Sequence, residues 1–386
     1  MPVPPLSARS EVAPFIVMDV MERARALEAA GRSVIHMEVG QPGTPAPAGA
    51  RAALAAAMEA GSLGYTVALG LPALRARIAR HYGEWYGVDL DPARVVVTSG
   101  ASAAFVLAFT ALFDAGDRVG LGAPGYPSYR QILRALSLVP VEIETHAEHR
   151  FQPRPEDVAG LKGLILASPS NPAGTILGRE ALGALLEAAR DAGAAVISDE
   201  IYHGLAYEAP AVSALELSDD AYVIGSFSKY FSMTGWRVGW MVVPEAHVRS
   251  VERLAQNLFI CPPHASQIAA LAAFDCGEEL SANVAGYAAN RRLVLDALPR
   301  MGLARFAPAD GAFYAYADVG HLTDDSLALS AEILERAGVA VTPGLDFDPA
   351  RGGRWLRLSY AGATADVAEG LRRLAAFLEG RERGAA

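Results

Sequence analysis

A chain of 386 residues, 52% hydrophobic and 20% charged, has the composition of an ordinary globular protein and exceeds the size at which one core usually stops growing, so two domains are expected. Its formal net charge of −10 leaves no basic surplus for nucleic acid and disfavours an anionic membrane surface, so a small anionic ligand would have to be caught by locally placed arginines. Cys261 and Cys276 lack metal-ligand spacing and suit a reducing compartment, the opening Met1-Pro2-Val3-Pro4-Pro5 lacks the apolar stretch of a secretion signal, and the longest apolar run, 101–113, is too short to cross a bilayer; a cytoplasmic location is expected.

In chain order, the proline-rich residues 1–15 read as an extended arm. Met18, Met21, Ala24 and Leu27 recur at intervals of three, which predicts a helix over 18–30 that stops at Gly31. A strand over 34–39 leads into the rigid loop Gly40-Gln41-Pro42-Gly43-Thr44-Pro45. Helices at 50–60 and 73–86, with a glycine-rich loop carrying Tyr65 between them, precede an alternation of short apolar strands and helices: strand 95–98, helix 102–113, strand 118–121, a helix after Pro127, strands 139–144 and 163–167, helix 179–192, and strands 194–198 and 222–226. Such alternation predicts an α/β domain, a mostly parallel sheet between helices, with ligands bound beyond the carboxyl ends of the strands. From about residue 290 the pattern becomes helix 291–298, strand 311–316, helix 326–337, strands 339–342 and 355–359, and helix 365–378 with Thr364 as its N-cap, a smaller α+β unit. The expected division is a large domain at 46–289 and a small one built from 1–45 and 290–386.

Of 33 basic residues all but Lys162 and Lys229 are arginine, so a lysine kept at 229 asks for a chemical reason. An ammonium can lose its proton and attack a carbonyl, whereas a guanidinium stays charged. Ser226 and Ser228 flank Lys229, and Arg237 follows between Gly235 and Gly239, a composition suited to wrapping an oxyanion. Asp199 follows directly on the strand 194–198 and could hold a ring nitrogen protonated, with Tyr202 three residues on; taken alone, a turn or N-cap aspartate is the favoured reading. Asn171 is fixed between Pro169 and Pro172 in a rigid turn, and Gly100-Ala101-Ser102 opens a helix where free backbone N–H groups suit phosphate. Arg357 interrupts an apolar strand and is either a surface arginine or a fork for a carboxylate.

Two patterns point elsewhere. Gly120-Leu121-Gly122-Ala123-Pro124-Gly125 fits the G-x-G-x-x-G dinucleotide fingerprint, with Glu142 at the distance of a ribose contact, although Pro124 and Pro127 push the helix start too far along. Ser102 imitates a nucleophile elbow, but Ala104 replaces its closing glycine. His146 and His149 read as solvated, and no metal is expected.

In this order, across about residues 35–360, the segments resemble the motifs of class I and II aminotransferases, pyridoxal-phosphate enzymes with the aspartate aminotransferase fold (fold type I). The resemblance implies that Lys229 is the Schiff-base lysine and that Ser226, Ser228, Arg237, Gly100, Ala101 and Ser102 hold the cofactor phosphate. It makes Asp199 the partner of the pyridine nitrogen, Tyr202 and Asn171 the partners of the phenolic oxygen, and Tyr126 the ring stacked on the cofactor. Arg357 becomes the clamp for the substrate α-carboxylate, with Asn171 and the Gly40 backbone against the same group. Tyr65 matches a tyrosine that reaches the phosphate of a neighbouring subunit, which implies a homodimer with shared sites, and relatives often have a cis bond where Asn171 meets Pro172.

The activity implied is transfer of an amino group from an L-amino acid to a 2-oxo acid, with 2-oxoglutarate the expected acceptor, by a ping-pong mechanism in which Lys229, Asp199 and Tyr202 are catalytic. A β-eliminating lyase on the same fold and an NAD-dependent oxidoreductase using the 120–125 loop are the alternatives. Loops around Ile16 and at 257–264 are expected to shape the side-chain pocket, and their apolar or uncharged residues favour a neutral or aromatic donor.

Overall fold

A computed structural model describes residues 3–385, with side chains described as far as Arg381; Met1, Pro2 and Ala386, at the ends of the expected arm and small domain, lie outside the described residues. In chain order the helices are α1 (Ile16–Ala29), α2 (Ala48–Ala60), α3 (Pro72–Tyr86), α4 (Gly100–Leu112), α5 (Pro127–Ala135), α6 (Arg179–Ala192), α7 (Val248–Leu258), α8 (His264–Ala273), α9 (Gly277–Arg300), α10 (Ser326–Ala337) and α11 (Thr364–Ala385). The strands are β1 (Ile35–His36), β2 (Val95–Thr98), β3 (Arg118–Ala123), β4 (Val139–Glu144), β5 (Gly163–Ala167), β6 (Ala195–Asp199), β7 (Tyr222–Ser226), β8 (Gly239–Val242), β9 (Tyr314–Asp318), β10 (Val339–Ala340), β11 (Thr342–Pro343) and β12 (Trp355–Ser359).

Seven strands form one sheet in the order β2-β8-β7-β6-β5-β3-β4, parallel except for β8, which runs antiparallel to both of its neighbours. Side-chain alternation explains why both faces are covered. Val95, Val97, Val223, Trp240 and Val242 meet Leu74, Ile78 and Tyr82 of α3 and the alanines of α8 on one face. The intervening Val96, Ile224 and Met241 meet Phe105 and Phe109 of α4 and Val251 of α7 on the other. Because β2, β3, β5, β6 and β7 are parallel, the segments that leave Thr98, Ala123, Ala167, Asp199 and Ser226 all emerge at one edge.

The second hydrophobic cluster packs the sheet β11-β12-β9 against α9, α10 and α11 through Val294, Leu298, Ile333, Leu374 and Phe377. The helix expected at 291–298 is the end of one helix from Gly277 to Arg300, which runs through the expected boundary at 290. Leu280, Tyr287, Val294 and Leu298 are its buried stripe, thinly spaced among alanines, so the earlier turns carry little apolar signal. The strand expected at 311–316 begins at Tyr314, because the Gly311 and Ala312 amides bond to the carbonyls of Gly174 and Leu205 (2.9 and 2.8 Å). The strand expected at 339–342 divides: Val339 and Ala340 pair with β1, and Thr342 and Pro343 pair with β12. Only Ile35 and His36 of the strand expected at 34–39 are regular.

The loop of Lys229 is anchored from below. Phe227 is fully buried, with ring centroids of Phe231, Trp240 and Phe274 at 4.8, 5.0 and 5.3 Å. Phe227→Ala should therefore destabilise the fold by about 3–5 kcal/mol, the usual loss for an emptied aromatic site. Urea unfolding of the apoprotein measures this, and a loss below about 1 kcal/mol would mean that the aromatic cluster does not hold the loop.

Candidate active site

At that edge of the sheet a cavity is lined by Gly40, Ala101, Ser102, Tyr126, Asn171, Asp199, Tyr202, Ser226, Ser228, Lys229, Arg237 and Arg357. Every residue that the resemblance assigns to cofactor or substrate is therefore in one place except two. Gly100 lies just behind the wall, where an added Cβ would strike the Arg237 guanidinium. Tyr65 projects from the protein, 84% exposed, and does not line the cavity of its own chain.

One end of the cavity is built to receive an anion. Helix α4 starts there, Ser99 supplies no side-chain cap, and so the first-turn N–H groups keep their donor capacity beside Ala101 and Ser102. Arg237 adopts a left-handed conformation (φ 51°), and its Nη1 donates to the Thr234 carbonyl at 2.8 Å. The Ser226 hydroxyl accepts from the Ser228 amide at 3.0 Å, which sets the turn that carries both serines.

Asp199 is buried at the end of β6. Its carboxylate accepts from the Ile201 amide at 3.1 Å and from the Tyr129 hydroxyl. Burial pushes its pKa up to about 6, and the Tyr129 hydrogen bond opposes that shift. Tyr129 escaped the sequence reading although it was findable: it stands three residues after Tyr126 on α5 and so shares its face.

Lys229 Nζ donates to the Gly40 carbonyl at 2.6 Å. A side chain at 40 would collide with the Tyr314 hydroxyl, so glycine is required there for close approach rather than for its φ. The lysine pKa is lowered to about 8, by burial first and by the Arg357 charge next, with Asp199 opposing.

Arg357 is buried on β12. It donates from Nη1 to Asn171 Oδ1 at 2.9 Å and from Nη2 to the Glu38 carbonyl, while its Nε has no partner. Its guanidinium packs against the rings of Tyr314 and Phe347, 4.4 and 4.7 Å from their centroids. The Tyr314 hydroxyl in turn lies 2.7 Å from that of Tyr202. Tyr314 carried no motif; it reads from sequence as one more apolar strand residue.

The peptide bond Asn171–Pro172 is cis, as are Ser168–Pro169 and Ala123–Pro124. The dinucleotide reading of 120–125 fails: Gly120 and Gly122 lie inside β3, a Cβ at Gly120 would meet Leu161, α5 starts only at Pro127, and Glu142 pairs with Arg130 at 2.8 Å. Ser102 has no histidine beside it on the cavity wall, and no cluster suited to a metal occurs among the described residues.

An anion cradle, a buried carboxylate, an amine with a lowered pKa and an arginine whose hydrogen-bond partners are all uncharged are the donor set that a phosphorylated pyridine aldehyde and an amino acid together require. A lysine of lowered pKa is neutral, and nucleophilic, above that pKa. The rate at which the apoprotein takes up pyridoxal phosphate into the visible-absorbing, lysine-bound form should rise with pH and level off above about 8. A midpoint near the ordinary lysine value of 10.5 would contradict the assigned environment.

The profile of the family described as aminotransferase class I and II matches residues 32–374. A valine–pyruvate aminotransferase of Mycobacterium tuberculosis is 47% identical over 381 residues, 97% of this chain and 98% of the relative. A crystal structure from Silicibacter pomeroyi is 68% identical, with TM-score 0.93 over 97% of this chain and all of that one. That of the aspartate aminotransferase from Thermus thermophilus is 31% identical, with TM-score 0.90 over the same shares. The chain belongs to the class I and II aminotransferases and is a pyridoxal-phosphate-dependent aminotransferase of the aspartate aminotransferase fold.

Proposed function

We propose that this enzyme moves the amino group of a neutral, apolar L-amino acid, valine being the reference donor, to a monocarboxylic 2-oxo acid. One observation carries the reading: the cations on the cavity wall are Lys229, Arg237 and Arg357, and each already has a role. Arg237 serves the phosphate cradle, Lys229 the reacting centre and Arg357 the α-carboxylate, so nothing charged on this wall awaits a second carboxylate. The wall also carries Phe15, Val17, Met18 and Ile132, which suit an apolar side chain. The valine–pyruvate aminotransferase of M. tuberculosis supports both halves of the proposal. The 2-oxoglutarate expected from the sequence resemblance needs a further cation and ranks behind pyruvate.

Pyridoxal phosphate, when bound, supplies an electrophilic carbon for amines and a ring that accepts the electrons left on the substrate Cα. The chain's residues divide the remaining work. The α4 N-terminus with Ser102, Ser226, Ser228 and Arg237 takes the phosphate. Asp199 keeps a proton on the ring nitrogen, and Tyr129 fixes the carboxylate that does so. Tyr202 and the Asn171 amide group donate toward the phenolic oxygen, and Tyr126 covers the ring face. Arg357 fixes the substrate carboxylate, and Lys229 Nζ, once released as a free amine, takes the proton from Cα. Donor and acceptor must use the same arginine fork, so they bind in turn, a ping-pong order.

The homodimer is part of the proposal. Tyr65 and Val67, between α2 and α3, and Leu258 and Ile260, at and just past the end of α7, are exposed; His264 ties the two segments together through the Gly64 carbonyl at 2.9 Å, where a second copy would cover them and receive Tyr65. No helix among the described residues is long and apolar enough to cross a membrane. The cytoplasmic location expected from sequence rests on the free thiols Cys261 and Cys276.

Mixing the holoenzyme with single amino acids, without oxo acid, tests the donor. Valine should convert the visible band to the near-ultraviolet form at least about tenfold more efficiently than aspartate, since a second carboxylate would be buried unpaired. Pyruvate should then restore the band faster than 2-oxoglutarate. Aspartate and 2-oxoglutarate leading would overturn the reading. Arg357→Ala should raise KM for valine about 10- to 100-fold, the loss expected for charge-assisted hydrogen bonds. An unchanged KM would assign the carboxylate clamp elsewhere.

A further inference from the structure

We infer that Asp346 is a specificity-determining positioning residue: its carboxylate, on the far side of the sequence, caps the first turn of α1 and so sets the apolar wall that meets the donor side chain. The inference rests on the apolar-donor reading above for its kinetic consequence, but its structural half stands independently.

Helix α1 has no cap of its own. Phe15 occupies the N-cap position and offers no side-chain acceptor, so the first N–H groups of the helix need partners from elsewhere. Asp346 supplies them: Oδ1 accepts from the Ile16 amide at 3.0 Å and Oδ2 from the Val17 amide at 3.2 Å. The helix dipole adds to the attraction for a carboxylate at this end. Asp346 is itself buried, so breaking the contact would leave charge without partners in a site closed to water.

Both sides of this cap reach the cavity. Phe15, Val17 and Met18 line it from the α1 side, and the Phe15 ring stands edge-on to Tyr126 at 5.8 Å. On the other side, the Asp346 carbonyl accepts from Arg130 Nη2 at 2.9 Å, and Arg130 belongs to α5, the helix of Tyr129 and Ile132. The neighbouring Phe347 bonds through its carbonyl to the Gly125 amide at 3.0 Å and packs its ring on Arg357. Residues 346–347 therefore clip together the apolar wall, the face of Tyr126 and the carboxylate clamp. Removing the Asp346 carboxylate unfastens only the first of these, because the other bonds run through the backbone and the Phe347 ring.

A donor as small as alanine touches little of the α1 wall, whereas valine depends on it. In holoenzyme carrying Asp346→Ala, the efficiency of the valine half-reaction should fall about tenfold relative to that of alanine, the scale of a lost N-cap. Asp346→Asn, which keeps one acceptor, should fall between the wild type and Asp346→Ala. Equal losses for the two donors would reduce Asp346 to a general stabiliser and overturn the inference. Hydrogen exchange separates this from failure of the donor reading. In Asp346→Ala, and to a lesser degree in Asp346→Asn, amides of residues 16–20 should lose protection about tenfold while β12 and α5 keep theirs. Unchanged protection at 16–20 would overturn the cap whatever the substrate proves to be.

Discussion

The structure depends on keeping three ionisable groups of two signs in one enclosed space. Asp199, Lys229 and Arg357 each sit where burial penalises charge, and each is tolerable because the others and a few fixed dipoles are there. Tyr129 and the Ile201 amide hold the carboxylate, the Gly40 carbonyl holds the amine, and the Glu38 carbonyl with Asn171 holds the guanidinium. The parallel sheet makes this possible. Strands that end at one edge deliver residues distant in sequence to a common point, where loop conformation is free to vary without disturbing the core. The long helix α9 and the second sheet then bring Arg357 to that edge from the other side.

The same charges explain how the amine can be reactive without being exposed. Burial and the Arg357 charge both lower the Lys229 pKa, and Asp199 limits the shift. Stacking Arg357 against Tyr314 and Phe347 removes it from water without neutralising it, and its hydrogen-bond partners, Asn171, Thr342 and the Glu38 carbonyl, are all uncharged, so its charge is left uncompensated by them. In the proposed mechanism, the substrate carboxylate offsets the arginine, and the amine recovers basicity when it must accept a proton.

Much of this was legible in the sequence because the chemistry demands particular residue types at particular turns. One of only two lysines in an otherwise arginine-based chain, an aspartate closing an apolar strand, an asparagine between prolines and an arginine inside a strand each break a local rule, and the structure gathers all of them at one cavity. What stayed hidden broke no rule. Tyr314 and Phe347 look like core aromatics, and α8 and the first half of α9 are alanine-rich, with little contrast between faces. The strand β8 follows a glycine-rich loop too closely to be read apart from it. The G-x-G-x-x-G match arises because Gly120 and Gly122, inside a strand where Gly120 admits Leu161, imitate glycines of a turn. Asp346 could not be found from sequence at all: its partners are backbone amides some 330 positions away.

The central claim is that Lys229 is the residue that carries the cofactor, and the chain's composition makes the test unusually clean, since Lys162 is the only other lysine. Borohydride reduction of the holoenzyme followed by peptide mass mapping should find the cofactor mass on the peptide that contains Lys229 and nowhere else. Its appearance on the Lys162 peptide, or on no lysine, would contradict the account.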